Sequence, residues 1–179
     1  MGTPTGMTFE LQPVLTGALI ELRPLRADDS DALFAVASDP GIWEQHPDRH
    51  RYREDRFQIF FREAMASGGA LIVADRATGA VIGSSRFYGY DEQASEVEIG
   101  WSFLARAYWG GRYNAEMKQL MLDHAFRFVE RVVFLVGPDN LRSQHALAKI
   151  GALRVGMRPD PEGRARVLFE ITRASRSAP

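Results

Sequence analysis

The stretch IGWSFLARAYWGGRYNAEMKQLMLDHAF, residues 99–126, limits what this chain can fold into more than any other part of it. It continues SEVEIGWSFL, 95–104, where Glu96, Val97, Glu98 and Ile99 alternate polar and apolar with the period of two of a strand. It then passes through a loop containing Gly110 and Gly111 and enters an apolar-periodic segment. That segment is read as a helix over about 114–129, with Asn114 as its N-cap and Met117 and residues 120–122 opening the apolar stripe. Successive glycines let backbone N–H groups approach an anion, and a helix N-terminus favours negative charge, so a pyrophosphate fits there. On these residues alone, a capped core helix that binds nothing is an equal reading. RVVFLVG, 131–137, follows; it is β-branched and apolar on both faces, as expected for a central strand covered on both sides.

The remaining elements are read outward from this unit. ALIELRPL, 18–25, is a strand, and Asp28, Asp29 and Ser30 are N-cap candidates for a helix over 32–37 that ends before Pro40. A second helix covers about 54–66, with Phe57, Phe60, Phe61 and Ala64 on one face and a stop at Ser67-Gly68-Gly69. Strands at 70–75 and 80–90 form a hairpin around Thr78-Gly79. A helix over 141–149 is closed by Gly151, and ALRVGMR and RARVLFEITR form a last hairpin around PDPEG. The order βααβββαβαββ predicts an α/β fold, a mixed sheet with helices on its faces. With no internal repeat, 17–173 is expected to be one domain, between a loose lead-in at 1–16 and a frayed tail at 174–179.

Charge and composition exclude several functions. Lys plus Arg number 22 and Asp plus Glu 23, a net charge of −1, so no chain-wide basic field exists to hold nucleic acid or a membrane. RNP-like motifs are also missing, and no nucleic-acid partner is expected. There is no cysteine, which removes disulfides, thiolate zinc sites and any thiol that carries an acyl group; acyl chemistry would need direct transfer. No apolar run approaches the roughly 18 residues of a bilayer span. The N-terminus lacks a basic start and an apolar block, and Gly6 stands where a myristoylation motif wants Ser or Thr. A cytoplasmic protein without membrane association is therefore expected. His46 and His50 are four apart, but Pro47 lies between them with no further ligand cluster, so no metal site is expected.

With the order of elements, the 99–126 stretch and DNLRSQHALAKIG, 139–151, resemble the GCN5-related N-acetyltransferase (GNAT) superfamily over nearly the whole chain. LRPLRADDSDALFAVASDP and YWGGRYNAEMKQLMLDHAF are similar to the branch containing ribosomal-protein N-terminal acetyltransferases and their small-molecule relatives. The resemblance implies a mostly antiparallel sheet with helices on both faces and two central parallel strands that splay apart. Acetyl-CoA would be the co-substrate, its pantetheine arm lying between those strands. It assigns pantetheine contact to Ser102, Phe103 and Leu104, and pyrophosphate contact to Trp109, Gly110, Gly111, Arg112, Tyr113 and Asn114. Arg112 replaces a family glycine; its guanidinium either adds a bidentate phosphate contact or obstructs the loop. Asn140 and Ser143 match residues that face the thioester end; the alternative is a simple N-cap and first-turn pair.

Amide formation needs a neutral amine, so a protonated amine must first lose its proton, and a buried carboxylate can take it. Glu96 and Glu98 share one strand face, and Glu98 aligns with a glutamate that serves as base in relatives; pairing with arginine on a solvated face is the alternative. A hydroxyl can protonate the departing thiolate, and Ser143 is the candidate, because Leu147 occupies the place of the family's tyrosine. Tyr108 and Tyr113 are reserves. On the acceptor side, 42–57, Arg49, Arg51, Arg53 and Arg56 are read as solvated charges balanced by Asp48, Glu54 and Asp55, with an acidic or phosphorylated acceptor as the second reading. The expected function is acetyl-CoA-dependent acetylation of a primary amine on a small molecule or a protein N-terminus. A homodimer is left open, and the rival reading is an idle acyl-CoA-binding module.

Overall fold

The computed structural model describes residues 8–177. Each expected strand and helix forms, with small additions at the ends. The strands are β1 (Leu15–Thr16), β2 (Ile20–Pro24), β3 (Ala70–Asp75), β4 (Val81–Asp91), β5 (Glu96–Leu104), β6 (Arg131–Val136), β7 (Leu153–Pro159) and β8 (Ala165–Thr172). The helices are α1 (Ser30–Ala37), α2 (Glu54–Ser67), α3 (Arg112–Ala125), α4 (Leu141–Lys149) and α5 (Arg173–Ser177).

Local chemistry explains the helix boundaries. Asp29 receives the Arg26 N–H at 2.8 Å and is gripped by both Arg23 Nη atoms at 2.9 and 2.7 Å, which fixes the turn that starts α1. Gly68 ends α2 with φ +68°, the left-handed position that glycine adopts without a Cβ penalty. The helix α3 corrects the reading at both ends. It begins at Arg112, because the extended Gly111 (φ −155°, ψ −146°) is its N-cap, so Asn114 lies in the first turn and does not cap. It ends at Ala125 because the chain turns there to sink Val129 fully into the core.

The lead-in, where described, is packed against the body. Phe9 is buried and meets the Phe87 ring at 5.3 Å, and β1 adds a short strand to the sheet edge. The motif ending at Gly6 lies outside the described residues, as do the last two residues of the tail. Within the tail, α5 turns along the end of β8.

The eight strands form one sheet in the order β1-β2-β3-β4-β5-β6-β8-β7. Every neighbouring pair is antiparallel except β5 and β6, which are parallel. These two pair only through Glu96 with Arg131, Val97 with Val132 and Glu98 with Val133, and then diverge. One apolar cluster joins Leu22, Leu71, Val97 and Ile99 to Met117 and Met121 of α3. A second joins Leu33 of α1 and the α2 phenylalanines to Ile72 and Phe103. Helices thus cover both faces, as expected. Among the described residues no helix is long and apolar enough to cross a membrane.

Candidate active site

Beyond Glu98 and Val133 the separated strands enclose a cleft of about 670 Å³, with Ile99–Ser102 on one wall and Phe134–Gly137 on the other. A bulge shapes the β5 wall. Opposite β4, the register jumps from Arg86 with Gly100 to Ser84 with Phe103, and Trp101 takes φ +52°. Left-handed backbone at a bulky residue is strained, and such strain persists only where surrounding contacts hold it. Here the Trp101 ring is held between Tyr88, at 5.1 Å, and the Arg86 guanidinium, at 4.2 Å.

Glu98 stands at the last paired position, where the strands part. It is half-buried in the cleft and forms no ion pair among the described residues. Burial pushes its carboxyl up to about 7, against the opposing pull of Arg158 and Arg86. Gly100, two residues on and on the same face, leaves room for it: a Cβ there would lie 3.2 Å from Glu98 Oε1. Glu96 has a different environment. It is paired with Arg131 and, at 2.6 Å, with Arg158; burial opposes these contacts, but they hold its carboxyl below the ordinary value. Of the two, only Glu98 is tuned to exchange a proton near neutrality.

Ser102 lies in the cleft wall, its Oγ 2.7 Å from Ser85 Oγ and accepting from Lys118 Nζ at 2.6 Å. Phe103 and Leu104 turn their side chains into the two cores. Their backbones pair with Ser84 and Gly83 of β4, while the edge towards β6 has no strand partner. A Cβ on Gly110 or Gly111 would meet nothing within 4 Å, and among the described residues α3 has no side-chain cap. The first-turn N–H groups of α3 are therefore claimed by no capping side chain, the arrangement that a pyrophosphate needs. Arg112 is exposed at the first position of α3. Asn114 lines the cleft, and Tyr113 stacks edge-on against Tyr108 at 4.8 Å. Trp109 is pinned, donating from Nε1 to the Leu104 carbonyl at 2.8 Å under the Arg142 guanidinium. Tyr108 donates to Asp75 at 2.9 Å, and neither Tyr108 nor Tyr113 lines the cleft.

Asn140 is buried and caps α4, accepting the Ser143 N–H at 3.3 Å. Both residues also line the cleft, so capping and site roles coexist. Two cations were missed by the sequence reading, Lys118 and Arg86, and a third, Arg51, departs from its solvated reading. Lys118 of α3 is 6% exposed and, among the described residues, bonded only to Ser102; burial alone lowers its ammonium to about 7. Arg86 is 4% exposed, and Arg51, expected in solvent, is largely buried, its guanidinium over Phe60 at 4.7 Å and Trp43 at 5.1 Å. Arg53 and Arg56 are solvated and paired with Asp55 and Asp48, as expected. Beside Arg51, His46 is held neutral: burial drives it to about 3, and its Nδ1 accepts the Asp48 N–H at 2.9 Å.

The fold, a mixed sheet that splits between two parallel strands, is shared with solved acetyltransferases. A GNAT-family protein from Chromobacterium violaceum superposes with a TM-score of 0.81 over 99% of this chain and 96% of its own, at 21% identity. A GCN5-related N-acetyltransferase from Brucella melitensis gives 0.76 over 92% of this chain and 80% of its own, also at 21%. RimJ from Mycobacterium smegmatis, in complex with CoA-disulfide, gives 0.70 over 92% of this chain and 87% of its own, at 20%. No curated protein matches the sequence. Residues 20–153 match the family signature described as an acetyltransferase (GNAT) domain, and the chain belongs to the GNAT acetyltransferase family.

Proposed function

We propose that this enzyme transfers an acetyl group from acetyl-CoA directly to a primary amine whose proton is taken by Glu98. The observation that carries the reading is the carboxyl at the apex of the split, without an ion-pair partner and held near 7. When bound, acetyl-CoA supplies the acetyl group already activated as a thioester. The 109–114 loop and the first turn of α3 hold its pyrophosphate, and the free backbone edge of 102–104 aligns its pantetheine arm. Glu98 removes a proton from the incoming ammonium, and Ser143, fixed by the Asn140 cap, is the hydroxyl that returns a proton to the leaving sulfur. The test is release of free thiol from acetyl-CoA across a panel of amines. Turnover with any primary amine supports transfer, whereas binding without turnover supports an idle module.

Two binding measurements accompany it. At a hundredfold excess over its Kd, acetyl-CoA should stabilise the fold by about 2.7 kcal/mol, read as a thermal shift. No shift at millimolar ligand in folded protein would contradict the reading. Arg112→Ala should weaken acetyl-CoA by roughly 1.5 to 3 kcal/mol and reduce the salt dependence of binding, if the exposed guanidinium closes on phosphate. Tighter binding by Arg112→Gly in calorimetry would show obstruction instead.

A further inference from the structure

The acceptor side of the cleft holds two guanidinium groups with unused donors. Arg86 Nε and Nη2 are buried and have no hydrogen-bond partner among the described residues. Arg51 Nε is likewise unpartnered, the nearest carboxylate oxygen being Asp48 Oδ2 at 3.7 Å. Buried donors are almost always satisfied, and an unmet charged donor is more costly than a neutral one. Both groups remain cationic near neutrality, because burial lowers each only to about 10. Aromatic faces hold them from below: Arg86 over Trp101 at 4.2 Å and Phe60 at 5.7 Å, and Arg51 over the same Phe60 at 4.7 Å. Two mutually repelling cations on one ring, with orphaned donors in a cleft, form a site made for an anion.

Register brings this site to the base. Tyr88 pairs with Glu98 and Arg86 with Gly100, so Arg86 and Glu98 lie on one sheet face, on adjacent strands and one pair apart. Gly100 puts no side chain between them, and a single small molecule can reach both. The local charge favours a single negative charge on that molecule. Asp48, beside Arg51, also pairs with Arg56 at 3.3 Å, and Glu63 lines the rim, so the two arginines are already partly balanced.

We propose that the acceptor is a small amine bearing a carboxylate, which Arg86 and Arg51 bind while the amine lies against Glu98. This rests on the acetyl-transfer reading above. In the transfer, the nitrogen–acetyl bond forms as the carbon–sulfur bond breaks; of the two protons the ammonium loses, Glu98 takes one and the other passes by way of the Ser143 hydroxyl to the sulfur, which departs as the free thiol. The carboxylate takes no part in bond exchange. It fixes which end of the molecule meets Glu98.

The test separates the anion site from acetyl transfer by using product-like probes that need no turnover. N-acetylglycine, its neutral amide N-acetylglycinamide, and inorganic phosphate are titrated into the protein by calorimetry, with fluorescence of Trp101 and Trp43 as a second readout. Saturable binding of N-acetylglycine is expected, at least about tenfold weaker for the amide and for Arg86→Gln, the scale of one lost charge-assisted hydrogen bond. Phosphate should bind more weakly than N-acetylglycine. Equal binding of acid and amide, no saturation by tens of millimolar, or an unaltered Arg86→Gln would overturn the proposal, and tighter phosphate binding would overturn the carboxylate assignment. Arg51→Gln provides a second variant should Arg86→Gln fail to fold. The acetyl-CoA thermal shift, run on the same proteins, should persist in both variants. Its loss in wild type would sink the transfer reading and leave the anion titration standing on its own.

Discussion

Glu98→Gln is expected to lower turnover by about 10² or more while leaving acetyl-CoA affinity unchanged, because it keeps the shape of the side chain and removes only its ability to take a proton. The pH profile gives a second signature. With its carboxyl raised to about 7, Glu98 is protonated in acid and becomes a base as pH rises, so wild-type kcat/KM should climb through about pH 7. The variant should lack that limb. Its fold should not suffer: between the ordinary carboxylate value and about 7 the unfolded chain loses this proton and the folded chain keeps it, so ionisation of Glu98 weakens the native state over that range. Glu96→Gln is the control, and it should cost stability by breaking the contacts to Arg131 and Arg158, with little effect on rate. A silent Glu98→Gln beside an inactive Glu96→Gln would move the base by one pleat.

Lys118→Met should raise stability near neutral pH by an amount on the order of 4 kcal/mol, the cost of keeping the ammonium out of water. The lysine is 6% exposed, it donates to Ser102 at 2.6 Å, and the Phe134 ring lies 5.7 Å away. Its folded value, about 7, lies below the unfolded value of 10.5. Between those limits the unfolded chain binds the extra proton, so this residue makes wild-type stability rise with pH, by up to about 1.4 kcal/mol per unit. Below about 7 both states are protonated and the deficit is at its full size; above about 10.5 it vanishes. Urea titrations of both proteins at pH 7, 8 and 9 measure the gap, which should narrow as pH rises. A constant gap would mean that Lys118 keeps its proton throughout.

The frame of the molecule was legible because burial leaves a period in the chain. The α2 residues Phe57, Phe60, Phe61 and Ala64 recur at helical spacing and all are buried. RVVFLVG, apolar on both faces, became β6 at the centre of the sheet. The two candidate carboxylates were legible for a related reason, since the period of two put Glu96 and Glu98 on one face, although only three-dimensional contacts could separate the paired carboxylate from the free one. Arg51, Arg86 and Lys118 escaped because charge in a sequence reads as solvent exposure. Two of them did leave a trace. Arg86 lies inside the strand run between Ser85 and the apolar Phe87, and Lys118 adjoins Met117 and lies one turn before the apolar residues 121–122. The start of α3 was misread because Asn114 has the chemistry of a cap, while Gly111 has the backbone freedom that the loop uses.

The split between β5 and β6 can be regarded mechanically as a crack in a plate, with three rungs of pairing beyond its tip. When such a crack flexes, displacement grows with distance from the tip and is smallest at the tip itself. Glu98 occupies the last rung, whereas Ser102 and Val136 lie further along the separated walls. The walls can therefore give way to cargo of different girth while Glu98 keeps its position to within a small fraction of that motion. A lineage built on this plate is free to change what enters between the walls without having to rebuild the tip.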